Sequence, residues 1–216
     1  MPRSRANHSL LESIQDLELL AKGGAPAESK YAPVRGTRAQ KKHRVEDEFE
    51  HAVCVALEAV GFRTRRLGQR MPGQRKPDAI AAPPVSPKYS LVVDAKVTQV
   101  RYSLPARDQR ALVEYAKRYS RQLKGMGCEK FHLLVISSDF GTGLRPGIES
   151  IKQDTRDTIL DRVYFVPARV LREVVHLKLG DARLGETFIE ELFTAGPDVF
   201  DLGHVRKAKK KISETF

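Results

Sequence analysis

Residues 74–97 read QRKPDAIAAPPVSPKYSLVVDAKV, and this stretch decides the fold. Two short runs, DAIAA (78–82) and YSLVVDAKV (89–97), flank the turn material Pro83-Pro84-Val85-Ser86-Pro87. That arrangement predicts a β-hairpin with a proline-bearing loop. Paired residues of an antiparallel hairpin lie symmetrically about the centre of its turn. Asp78 and Asp94 are symmetric about Ser86, so their carboxylates are expected to face one another, with Cβ atoms roughly 4.5–5.5 Å apart. Facing carboxylates repel unless something positive lies between them. A divalent cation meets that need, and all-oxygen ligation suits Mg²⁺ or Mn²⁺. Lys96 follows Asp94 by two and leaves the same face of its strand. Ala95 turns its methyl to the other face but offers its backbone carbonyl as a further hard oxygen.

Outward from the hairpin, helix and strand signals alternate. On its N-terminal side, Val45, Phe49, Ala52, Val53, Ala56, Leu57 and Val60 trace one apolar helical face, and Gly61 supplies the stop. GFRTRRLGQRMPGQRK (61–76) carries six basic residues and no acidic one, and reads as a basic loop. On the C-terminal side a helix is expected over Arg107–Leu123, entered after Pro105. The near-continuous apolar run FHLLVIS (131–137) suits a strand covered on both faces. A helical segment over Ile148–Leu160 and a strand over Val163–Val166 complete a βαβ unit, which implies parallel pairing. Two more helices follow, over Ala168–Leu177 and Glu186–Phe193. Ser9–Leu20 has apolar residues at helical spacing ahead of a Gly/Pro/basic linker. It reads equally as a disordered tail or as a docking helix on a tether.

Lys and Arg outnumber Asp and Glu by 38 to 27, a net charge of +11, which favours a polyanionic partner: nucleic acid first, an anionic membrane surface second. No stretch approaches the ~20 apolar residues of a membrane span, and the N-terminus has no secretory h-region. Two cysteines, Cys54 and Cys128, are too few for a disulfide scaffold and lack metal-site spacing. Cys54 is expected to be a buried, unreactive thiol. His51, His132 and His176 show neither triad nor metal spacing and are expected to be packed or at the surface. A reducing, cytoplasmic setting is the default.

Pro77-Asp78 followed by Asp94-Ala95-Lys96 resembles the PD-(D/E)xK nuclease signature. The blocks GFRTRRLG, GQRKPDAI, YSLVVDAKV and YSLPARDQRALVEY, with FHLLVISSDF further on, look like the cleavage domain of FokI-type, type IIS restriction endonucleases. The resemblance runs in order from about Val45 to Phe200. It implies an α/β fold with a restriction-endonuclease-like core, a mixed central β-sheet flanked by helices. Together with the Gly/Pro/basic composition of the N-terminal stretch and the Lys/Arg run at the C-terminus, it divides the chain into an appendage and basic linker over 1–40, a nuclease domain over 41–204 and a basic tail over 205–216. Asp78 and Asp94 are then metal-binding with the Ala95 carbonyl, and Lys96 completes a Mg²⁺-dependent hydrolytic site in which Mn²⁺ can substitute. Gln74, Arg75 and Lys76 would sit over the scissile strand, with Arg66 among the DNA-binding basic residues. Many members of the wider superfamily add a helical Glu. Glu50 is the choice here over Glu46, with a solvated Glu the plain alternative.

The family's cleavage domain dimerises through a helix bearing an acidic and a basic residue four positions apart. The matching positions here are Arg110 and Glu114, the same spacing with the charges exchanged. They form either a self-complementary interface pair or a plain intrahelical ion pair worth ~0.3–0.5 kcal/mol. The expected partners are double-stranded DNA and a second subunit, either a homodimer copy or a large recognition subunit. No base-reading module is visible in the sequence, and Met1 favours a stand-alone small subunit. A non-catalytic DNA-binding or assembly subunit with a nuclease fold, or a repair or transposition nuclease, are the alternatives.

Overall fold

The computed structural model describes residues 14–24, 38–67, 76–84, 88–181, 183–194 and 196–214; the side chains of residues 38–42 and 194 are outside the description. Among the described residues, seven helices and five strands follow in the order α1 (Leu17–Ala21), α2 (Arg38–Ala59), β1 (Arg63–Arg66), β2 (Ala79–Ala82), β3 (Tyr89–Lys96), α3 (Ala106–Gly125), β4 (Lys130–Ser137), α4 (Arg145–Asp154), β5 (Leu160–Pro167), α5 (Ala168–Gly180), α6 (Glu186–Thr194) and α7 (Leu202–Ser213). The strands form one mixed sheet in sequence order, so neighbours in the chain are neighbours in space. β1–β2 and β2–β3 pair antiparallel, whereas β3–β4 and β4–β5 pair parallel. This is the α/β architecture the sequence implied.

The alternation of side chains along the strands sorts the apolar residues into two layers. Ala79, Ala81, Leu91, Val93, Leu134, Ile136 and Tyr164 face a layer built from α1, α2, α5, α6 and α7. Val92, Leu133, Val135, Val163 and Phe165 face α3 and α4, with Ile80 packed against them. Because β3 and β4 are covered on both faces, their sequences are runs of apolar residues, LVV and FHLLVIS, rather than alternating ones. The chain leaves β3 and turns at Leu104, a non-glycine residue with φ of 54°, before Pro105 starts α3. Gly147 lets α4 approach this turn: a Cβ there would lie 2.8 Å from Leu104 Cδ2.

Four segments correct or sharpen their sequence expectations. The basic stretch read as a loop begins as an edge strand, β1, with Arg63 opposite Ala82 and Arg66 opposite Ala79. Of the segment read as either a disordered tail or a docking helix, the described residues 14–24 follow the second reading and dock on the core, with Ile14, Leu17, Leu20 and Ala21 buried. Its helix is stitched to the chain after β3 by a 2.9 Å bond from Thr98 N–H to the Ala21 carbonyl, and to α5 by a Glu18–Arg172 ion pair at 2.8 Å. Finally, most of the basic C-terminal stretch is the helix α7. Asp201 caps it by accepting from the His204 N–H at 2.7 Å, and Val205, Ala208 and Ile212 line its buried face. The helix expected to reach Leu160 ends at Asp154, where the following Thr155 hydroxyl turns back to the Ile151 carbonyl at 2.7 Å.

Candidate active site

The β2–β3 register sets the site. Ala79 faces Val93, Ile80 faces Val92 and Ala81 faces Leu91, so one further step brings Asp78 opposite Asp94. Both are on the α3 face of the sheet, the face of Ile80 and Val92. Asp78 is pinned on three sides. Its N–H donates to the Val93 carbonyl and its carbonyl accepts from the Leu67 N–H, both at 2.9 Å, while its Oδ2 accepts from the Ala95 N–H at 2.6 Å. The motif's first acid is thus bonded to the middle residue of its second half.

Both acids are buried, Asp78 to 7% and Asp94 to 3% exposure. Burial pushes the Asp78 carboxyl well above the usual carboxylate range, and the neighbouring Asp94 and Glu50 charges add to it. Burial also raises Asp94, against the pull of Lys96. Lys96 Nζ lies 2.9 Å from Asp94 Oδ2. Burial works against the Lys96 charge, but Asp94 outweighs it and holds the ammonium protonated more firmly than in an ordinary lysine. Lys96 makes its contact as an ion pair, not a well-directed hydrogen bond, and Asp94 Oδ2 is buried with no hydrogen-bond partner among the described residues.

Glu50 comes from α2. Its carboxyl is mostly buried, raised by that burial, and within hydrogen-bonding reach of Asp78. Glu46, one turn earlier, instead meets His43 Nδ1 at 3.2 Å. Of the two helical acids weighed from sequence, Glu50 is the one brought to the pair. Asp108, in the first turn of α3, adds negative charge near Lys96 and Asp94 and accepts from the Tyr102 hydroxyl at 2.7 Å. Sequence reading did not single it out, and only its place just after Pro105 could have drawn attention to it.

The basic candidates are distributed differently. Lys76 is half-buried beside the site, whereas Gln74 and Arg75 lie outside the described residues. Arg66 turns to α2: its Nη2 lies 2.7 Å from Asp47 Oδ1 and 3.3 Å from Glu50 Oε2. Arg110 and Glu114 are exposed on α3. Cys54 and Cys128 are free and buried, and burial pushes the Cys54 thiol up to about 11. His132 is fully buried, while His51 and His176 are exposed.

Among the described residues, no three His, Cys, Asp or Glu side chains are grouped to hold a metal. A cation here would rest on two carboxylates and a backbone carbonyl, with its remaining ligands from water or substrate. That suits Mg²⁺, which keeps several waters and binds through one or two carboxylates. The buried Asp94 Oδ2, with the Lys96 ammonium beside it and no hydrogen-bond donor among the described residues, fits the same requirement.

A mixed sheet that delivers two facing acids and a lysine from adjacent strands is the core of the PD-(D/E)xK class. The family model of the FokI cleavage domain matches residues 14–192, and the chain belongs to that family. Two solved structures share the fold. Restriction endonuclease FokI has a TM-score of 0.62 at 18% identity over 87% of this chain and 31% of that one. FokI bound to DNA has a TM-score of 0.61 at 18% identity over 93% of this chain and 34% of that one. The chain therefore spans about a third of those proteins. No curated protein matches it at a significant level.

Proposed function

We propose that the chain is a Mg²⁺-dependent DNA endonuclease of the type IIS kind, a cleavage module whose target sequence is read by another domain or subunit. The observation that carries this reading is the burial of Asp78 and Asp94 face to face with Lys96 against Asp94, in a chain of the FokI cleavage-domain family. Asp78, Asp94 and the Ala95 carbonyl would hold the ion; when bound, it supplies a Lewis acid for the phosphate and makes a bound water more acidic. Burial keeps bulk water from screening the site. The Ala95 N–H fixes Asp78, and Glu50 approaches it from α2. Lys96, held as an ammonium, cannot take a proton. It serves as a hydrogen-bond donor, orienting the attacking water and stabilising charge that grows on the phosphate.

The net charge of +11 supports double-stranded DNA as substrate, held through its phosphates with affinity that falls steeply with salt. The products would carry 5′-phosphates, as in the family. The protein would work in the cytoplasm as part of a restriction system, paired with a second nuclease domain or a large recognition subunit. Among the described residues no helix is long and apolar enough to cross a membrane. Plasmid nicking with Mg²⁺ against EDTA, with the chain alone and with its candidate partner subunit, tests the reading. Loss of nicking in Asp94→Asn and Lys96→Ala supports it. Cleavage at parental rates by both variants sinks the site assignment.

A further inference from the structure

The basic run Arg63-Thr64-Arg65-Arg66 is a strand, and a strand sends alternate side chains to opposite faces. Thr64 and Arg66 point to α2, where the Thr64 hydroxyl bonds Glu58 and Arg66 meets Asp47 and Glu50. Arg63 and Arg65 point to the other side; they are exposed, and Arg66 is exposed as well, so it is direction and partners that set Arg66 apart. The four residues therefore do not form one phosphate-binding surface. Arg66 departs from it, and its position opposite Ala79 puts it one residue from Asp78 in the neighbouring strand.

Arg66 Nη2 has three partners on α2: Asp47 Oδ1 at 2.7 Å, the Asp47 backbone carbonyl at 3.3 Å and Glu50 Oε2 at 3.3 Å. The other acids of this helix turn have separate partners, Arg44 on Glu48 at 2.9 Å and His43 on Glu46 at 3.2 Å. Glu50 thus stands between Arg66 on one side and Asp78 on the other. A carboxylate brought to the buried Asp78 is favoured by a cation that holds it there, and the Arg66 guanidinium, bonded to a side chain and a backbone carbonyl of the same helix, supplies one.

We propose that Arg66 is a positioning residue of the nuclease site, locking α2 to β1 so that Glu50 is presented to Asp78. It is not a DNA-phosphate contact. The proposal rests on the nuclease reading above. Supporting groups of this kind commonly contribute about 10–100-fold to metal affinity or activity.

The full chain and its Arg66→Ala, Arg66→Lys and Asp47→Asn variants provide the test. Three measurements are made: calorimetric Mg²⁺ binding, the salt dependence of duplex-DNA binding in EDTA, and single-turnover nicking. Arg66→Ala is expected to weaken Mg²⁺ binding and slow nicking about 10–100-fold while leaving the salt slope of DNA binding unchanged. Arg66→Lys restores part of the loss, because an ammonium can hold one partner but not the whole set. Asp47→Asn, which removes the shortest contact, moves Mg²⁺ binding in the same direction by less, and it carries the test if Arg66→Ala fails to fold. A phosphate contact would give the opposite pattern. The salt slope would then fall by about 1 in Arg66→Ala, Mg²⁺ binding would be unchanged, and Asp47→Asn would bind DNA more tightly by freeing the guanidinium. That pattern, or an Arg66→Ala protein indistinguishable from the parent, overturns the proposal while the nuclease reading stands. A parent chain that neither binds Mg²⁺ nor nicks DNA overturns the nuclease reading, and this inference with it.

Discussion

Asp78 accepts a 2.6 Å hydrogen bond from the Ala95 N–H, so the two halves of the acidic motif are tied together through a backbone amide and a facing register. The bond favours a charged Asp78, while burial and the adjacent carboxylates oppose it. Lys96 sits on Asp94, not on Asp78, so without a bound metal ion Asp78 carries its charge at an electrostatic cost.

That cost predicts opposite effects of one substitution on stability and on activity. Asp78→Asn keeps an oxygen to accept the Ala95 N–H, removes one of two facing buried charges and leaves the Asp94–Lys96 pair intact, so it should raise the thermal midpoint of the metal-free protein at pH 7. The same change should lower nicking at least about 100-fold, the scale of losing one preorganised electrostatic group at a reacting centre. In the parent, Mg²⁺ at 100 times its dissociation constant should add about 2.7 kcal/mol, and Asp78→Asn should lose most of that gain. Thermal melts with Mg²⁺ and with EDTA measure both. A variant destabilised in EDTA would show that the facing charges impose no such cost.

His132 predicts the acid limb of stability. Its ring is fully buried among Tyr89 and Tyr164, and neither nitrogen has a hydrogen-bond partner among the described residues. From its own element and from β5, the charges nearest to it are Lys130, Arg162 and Asp161, the last 3.8 Å from Nδ1. Burial lowers its pKa from 6.5 to about 4, against the pull of Asp161. A base with a depressed folded pKa contributes its full stability above pH 6.5 and loses it as the pH falls towards 4. At 1.36 kcal/mol per unit, the loss is about 3 kcal/mol. His132→Phe should remove this dependence and stabilise the fold at pH 5, since it also removes two unpaired buried nitrogens. Urea melts of both proteins from pH 7.5 to 4.5 measure the difference, and parallel curves would sink the assignment.

The N-terminal segment predicts a stability effect far from any charge. Leu17 is fully buried where α1 meets α2 and α5. Leu17→Ala should cost about 2–5 kcal/mol in denaturant melts, as for other buried leucines. A cost under about 0.5 kcal/mol would mean that α1 is peripheral to the folding unit.

The hairpin and its acids were legible because pairing symmetry and period-two alternation need no tertiary information. β4 was legible for the same kind of reason, as a strand covered on both faces is apolar throughout. β1 was not. RTRR has no apolar alternation, and its strand form depends on pairing with Ala79–Ala82 and on α2 supplying acids to one face. α7 was obscured by charge: Val205, Ala208 and Ile212 lie at helical spacing, but five basic residues between Arg206 and Lys211 hide that stripe. Glu46 and Glu50 share a helix face, so only the placement of α2 against β1 and β2 could separate them.

The last prediction concerns α3. Arg110 and Glu114 are exposed there, one helical turn apart, at the mouth of a shallow cavity of about 350 Å³ shared with Ser150 and Asp154 of α4. In a two-fold interface, Arg110 of one copy meets Glu114 of the other and the reverse, so each charge counts twice. If a second copy of this chain is the partner, Arg110→Glu alone should set acid against acid and weaken self-association at least about tenfold, which is 1.4 kcal/mol. The double variant Arg110→Glu/Glu114→Arg exchanges the charges and should restore pairing with itself. It should pair poorly with the parent chain, where like charges would meet. Sedimentation of each variant with duplex DNA, and nicking by mixtures of parent and double variant, separate an interface from a plain intrahelical pair. If Arg110→Glu associates and cuts as the parent does, the helix pair acts only within its own chain.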